Sequence, residues 1–176
     1  MNNLLVISAL GTDRPGIVND LSGAILEYGC SVADSRMSVL GGEFALILLV
    51  SGKWDSIAKL ESALPVVASK LGLMVTLKQT EKRRAGTALL PYEIEVVAMD
   101  HTGIVHEVAD FLAARDINIE TMDTDTYAAA HTGTQMFSMN LRISVPGDMH
   151  IATLREEFTD FCDQLNLDAV LEPAKD

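Results

Sequence analysis

The chain has 176 residues, with 13 Lys and Arg against 25 Asp and Glu and a formal net charge of −12. Residues 1–87 carry 9 basic against 8 acidic side chains and residues 88–176 carry 4 against 17, so the second half repels a phosphate backbone and direct DNA binding is disfavoured. Two distant cysteines, Cys30 and Cys162, argue against a disulfide framework, and a start without a basic run, in a chain without an apolar stretch of about 18 residues, argues for the cytoplasm and against secretion or membrane spanning.

In chain order, Leu4 to Leu10 reads as a strand, and Gly11-Thr12-Asp13-Arg14-Pro15-Gly16 turns into a helix that runs to about Tyr28. Pro15 suits the first helical turn, where the missing amide hydrogen costs nothing, and Gly29 suits the left-handed position that closes a helix. A second strand covers Cys30 to about Leu40. Gly41-Gly42 is a hairpin signal leading to Phe44–Val50, which is apolar on both faces and belongs in the middle of a sheet or against a second domain. Trp54, Ile57, Leu60 and Leu64 have helical spacing, Pro65 predicts a kink or break, and Leu73 to Leu77 is a fourth strand. Thr80 to Leu90, which contains the basic cluster Lys82-Arg83-Arg84, reads as a solvated linker.

The same order then repeats. Asp13-Arg14-Pro15-Gly16-Ile17-Val18 returns as Asp100-His101-Thr102-Gly103-Ile104-Val105, each residue displaced by 87 positions, and Ile17, Val18, Leu21, Ala24 and Ile25 are answered by Ile104, Val105, Val108, Phe111 and Leu112. Strands are expected at 94–99, 118–127 and 134–144, with an enlarged hairpin loop at 128–133. Ile151, Leu154, Phe158, Phe161, Cys162 and Leu165 form a helical stripe. Two copies near 90 residues predict tandem domains, residues 1–79 and 91–176, joined by residues 80–90. The order βαββαβ predicts the α+β class, two ferredoxin-like domains of antiparallel sheet with both helices on one face. The other sheet face stays open or meets a partner, which favours association, and a homodimer is expected.

At Asp13-Arg14-Pro15-Gly16-Ile17-Val18 the repeat resembles the ACT domain, a small-molecule-sensing module. Asp34-Ser35-Arg36 and Leu40-Gly41-Gly42-Glu43-Phe44 extend the likeness to tandem members that regulate transcription. The resemblance implies a regulator that responds to a small amino acid, with glycine favoured, and acts through a DNA-binding activator protein. It also leaves room for a module that controls an enzyme of amino-acid metabolism by direct contact.

Gly11, Asp13, Arg14, Pro15, Gly16, Ile17 and Val18 are the leading candidates for ligand binding. A helix start offers unpaired amide hydrogens and a positive dipole end, so a carboxylate can bind there, while Asp13 or the turn carbonyls could meet an ammonium group. A purely structural reading makes Asp13 the helix cap and Pro15 its first residue, with Gly16 permitting close packing. In the second copy the candidates are Asp100, His101, Thr102, Gly103 and Ile104, although His101 and Thr102 replace Arg14 and Pro15. Asn118 matches a family position near a domain interface; on its own it reads as a turn residue.

Catalysis finds little support. His101 and His106 lack partners at metal spacing, and Cys30 and Cys162 read as buried small hydrophobes. Asp123 and Asp125 share a strand face without an acid-rich loop. No phosphate-cradling glycine motif, metal site or cofactor is expected.

Overall fold

Leu5, Ile7 and Ala9, alternate residues of the first strand, form its buried side in the computed structural model. The structure describes residues 3–82 and 88–175. The chain divides into two compact units, Met1–Arg84 and Ala85–Asp176. The first unit contains β1 (Asn3–Thr12), α1 (Ile17–Glu27), β2 (Ser31–Leu40), β3 (Glu43–Gly52), α2 (Trp54–Lys70) and β4 (Met74–Thr80). The second contains β5 (Leu89–Met99), α3 (Ile104–Ala113), β6 (Asn118–Ala128), β7 (Gln135–Pro146), α4 (Ile151–Gln164) and β8 (Asp168–Pro173).

Each unit is a four-stranded antiparallel sheet, ordered β2-β3-β1-β4 and β6-β7-β5-β8. This is the α+β, ferredoxin-like arrangement that the repeat predicts. The doubly apolar β3 lies inside its sheet, with Phe44, Leu46, Leu48 and Val50 buried beside Leu5, Ile7 and Ala9 of β1. Ile17, Leu21 and Ile25 of α1 and Ile57, Leu60 and Leu64 of α2 cover that face. Burying each such side chain stabilises the unit by about 1.5–3 kcal/mol. The second core repeats the plan around Ile94, Met139, Leu141 and Ile143, with Phe111 of α3 against Phe158 and Phe161 of α4.

Strand register confirms the equivalence of the two copies. Gly11 pairs with Phe44, and Ala98 pairs with Phe137. Both units carry a bulge in the edge strand at the same place, between Val32 and Asp34 in β2 and between Ile119 and Thr121 in β6.

The side of each sheet away from its helices differs sharply between the copies. In the first unit it presents Val6 and Leu10 of β1 with Ala45, Ile47 and Leu49 of β3. In the second it presents Glu93 and Glu95 of β5, Asp123 and Asp125 of β6, and Asp168 and Glu172 of β8. Arg142 stands among them, 3.7 Å from Glu93.

Three expectations need correction. Helix α2 runs unbroken through Pro65, because Ile57, Leu60, Leu64 and Ala68 are all buried on one side and hold it to the sheet. Strand pairing reaches into the expected linker, since Thr80 pairs with Leu4 and Leu89 with Pro146. Helix α1 starts at Ile17, so Pro15 precedes the helix instead of opening it. Of the basic cluster, Lys82 is exposed, and Arg83 and Arg84 lie outside the described residues.

Candidate functional site

Strand β1 delivers the chain to the turn at its closing end. The Asp13 amide donates to the Gly42 carbonyl at 3.2 Å, which continues the ladder one bond past Thr12 and ties the turn to the β2–β3 hairpin. Gly11 is the point of close approach. A Cβ there would stand 2.5 Å from the Gly72 carbonyl oxygen and 2.9 Å from Leu73 Cδ2.

Gly16 has a different constraint. It is the N-cap of α1 in the left-handed region, with φ 86° and ψ −6°, and a Cβ there would meet nothing closer than Arg14 Nη1 at 3.9 Å. Packing therefore leaves room for a side chain, and the backbone conformation is what asks for glycine. No side chain caps the helix, which corrects the assignment of Asp13 as its cap. The first intrahelical bond runs from the Asp20 amide to the Gly16 carbonyl at 2.9 Å. Amides ahead of Asp20 thus have no acceptor within the helix, and the positive end of the helix dipole lies open. Arg14 sits beside it, with Nη2 2.9 Å from Asp20 Oδ2 and Nη1 donating to the Pro15 carbonyl at 3.3 Å. Both partners are about 40 % exposed, so this pair contributes at most about 1 kcal/mol and is free to rearrange around a ligand.

This turn borders a groove of about 510 Å³ lined by Asp13, Arg14, Gly16, Ile17, Val18 and Asn19 on one side and Met37, Ser38, Val39 and Phe44 on the other. Five of the residues expected from the sequence, Asp13, Arg14, Gly16, Ile17 and Val18, meet there. Gly11 and Pro15 support the turn without lining the groove. The wall from β2 and Phe44 is absent from the sequence-based expectation, and the Gly41-Gly42 hairpin is the signal that could have placed it opposite the turn. A larger hollow of about 890 Å³ lies at the other end of the first sheet, along Asn3, Leu4, Ala33, Leu49, Ser51 and residues 79–82. No helix start borders it among the described residues, so the groove has the better anion-binding chemistry.

The second turn keeps the backbone and changes the side chains. Gly103 is a left-handed N-cap with φ 103°, and the Asp100 amide donates to the Gln135 carbonyl at 2.9 Å, as Asp13 does to Gly42. His101 Nδ1 lies 3.1 Å from the Thr102 carbonyl oxygen, and Ile104 is buried. Asn118 does not join this turn. It pairs with Ser144, which faces Pro91, eight residues down β5 from Met99 and therefore about 26 Å away.

Other reactive groups are spread out. Among the described residues no three His, Cys, Asp or Glu side chains gather to hold a metal ion. Both cysteines are buried and unpaired. Burial, and then the nearby Asp163 carboxylate, push the Cys162 thiol up to about 11. Burial and Asp55 raise Cys30 as well. The exposed Asp34 carboxyl is held below its usual range by hydrogen bonds from Arg36 and the Ser35 amide. No helix is long and apolar enough to cross a membrane among the described residues.

Residues 3–78 match the ACT domain. The glycine cleavage system transcriptional repressors of Escherichia coli K12 and Shigella flexneri are each 31% identical over 162 residues, covering 92% of this chain and 85% of theirs. A crystal structure described as a candidate glycine cleavage system transcriptional repressor superposes with a TM-score of 0.75 at 28% identity, over 100% of this chain and 99% of that one. A structure of an unknown protein from Galdieria sulphuraria gives 0.81 at 30% identity, over 99% and 100%.

Proposed function

This chain belongs to the family of the glycine cleavage system transcriptional repressor, and on that premise we propose that it is a cytoplasmic, amino-acid-responsive regulator of transcription that works through a DNA-binding partner protein. The observation that carries the reading is the groove at Gly16, where an uncapped helix start and the Arg14 guanidinium converge on a space of about 510 Å³. A carboxylate would lie against the helix amides and Arg14, while Asp13 would take an ammonium group. Exposed apolar walls at Val18, Met37 and Val39 would cover a short side chain or leave glycine room.

The ligand acts by fitting one state of the protein better than another, and it shifts that equilibrium by no more than the difference in affinity. The acidic sheet face of the second unit suits a basic protein surface and not a phosphate backbone. The family places the chain among regulators, and we assign it no reaction of its own. Ser38 in the groove has no His or Lys among the lining residues to activate it.

Thermal unfolding of the full chain with glycine and other small amino acids tests this. A binder at 100 times its Kd stabilises by about 2.7 kcal/mol and raises the midpoint. Unchanged midpoints across the small amino acids would remove the sensing role.

A further inference from the structure

Both helix starts have the same backbone, yet the residue four positions past each N-cap behaves differently. In the first unit that residue is Asp20, and Arg14 holds its carboxylate at 2.9 Å, beside the turn. In the second unit it is Glu107, one methylene longer, and the position of Arg14 is taken by His101. The Glu107 amide donates to the Gly103 carbonyl at 2.9 Å, and its side chain folds back so that Oε1 lies 3.7 Å from where a Cβ on Gly103 would stand. Its other oxygen, Oε2, is buried with no hydrogen-bond partner. Side chains on a helix lean toward its N-terminus, so a glutamate at this position reaches the positive end of its own helix.

We propose that Glu107 is a built-in carboxylate that occupies the start of α3 and makes the second turn refuse anionic and zwitterionic ligands, so that each chain holds one ligand, at the first turn. The proposal rests on the reading of the first turn as the amino-acid site. Its physical basis is the local charge. The first turn has one guanidinium beside two carboxylates, Asp13 and Asp20, whereas the second has two carboxylates, Asp100 and Glu107, and no guanidinium. An incoming carboxylate at Gly103 would meet like charge at short range, in a site where Oε2 is already removed from water. The duplication thus leaves a sensing copy and a copy whose sensor is closed by its own side chain.

Acetate is a probe for this chemistry that does not depend on which amino acid is the natural ligand. Amide resonances of the full chain are followed by NMR as acetate replaces chloride at constant ionic strength. In the wild type, the amides of residues 17–19 shift in a saturable way, several-fold more than those of residues 104–106. In Glu107→Ala, residues 104–106 shift as well, and Glu107→Gln gives the same result if the alanine variant folds poorly. Equal shifts at both turns in the wild type overturn the proposal. So does silence at residues 104–106 in both variants, or silence at both turns throughout. An acetate pattern as expected, combined with no stabilisation by any small amino acid, leaves Glu107 as the plug and removes the amino-acid reading instead.

Discussion

Gly16 and Gly23 lie in the same short segment and answer opposite demands. Gly16 holds φ 86°, which an L side chain adopts at a cost of about 1–2 kcal/mol. Gly23 lies inside α1, exposed, and a methyl group placed there would find nothing within 4 Å. Gly16→Ala is therefore expected to lower stability by about 1–2 kcal/mol, and Gly23→Ala to raise it by about 0.5–1 kcal/mol. Urea unfolding of both variants checks the pair, and a stabilised Gly16→Ala would contradict the left-handed assignment. The second copy shows how far this demand for glycine extends. Where the first has Gly29 at φ 70° and Gly72 at φ 74°, the second has Asp116 at φ 55° and Asn166 at φ 54°. Short polar side chains tolerate that region, so the bend persisted while the residue changed. At the helix start, both copies keep glycine.

At the scale of elements, α2 poses the sharpest question, since a proline inside a helix removes one hydrogen bond and crowds the carbonyl four residues back. Pro65 is exposed, whereas Leu60, Leu64 and Ala68 are fully buried. Pro65→Ala should stabilise the first unit by about 1–3 kcal/mol, read from the unfolding midpoint; a loss of stability would mean that the proline shapes how α2 packs on the sheet. Most elements are legible in the sequence because their signals are local. The displaced turn, the Gly29 stop and the Gly41-Gly42 hairpin each fit within a few residues, and the stripe of α4 lies within a single helix. Long-range forces set what is not legible. The helical spacing of Ile57, Leu60 and Leu64 is legible up to Pro65, but not that their burial against the sheet carries the helix through the proline, and Leu89 extends β5 only because Pro146 lies opposite. A proline just before a helix looks the same in sequence as one in its first turn, so local signals do not locate the start at Ile17. The wall of the candidate groove opposite the turn, Met37, Ser38, Val39 and Phe44, depends on the pairing of β3 with β1, which the Gly41-Gly42 hairpin alone does not fix.

Across the whole molecule, charge separates the two copies more than shape does. Residues 88–176 carry 4 basic against 17 acidic side chains, with six of the acids on one sheet face. Self-repulsion of that order weakens the compact state and is screened by salt. As the Debye length falls from about 30 Å to about 3 Å, the amide hydrogens of the second unit should gain protection from exchange while those of the nearly neutral first unit change little. Equal gains in both units would show that the charge is already compensated. The bulges in β2 and β6 bear on a different hazard. Both strands lie at the margin of a sheet, where unpaired backbone groups invite another polypeptide to add on. A surplus residue at Ala33 and at Glu120 breaks the regular spacing an incoming strand would have to match. Each unit thus discourages runaway fibre growth along its most exposed margin.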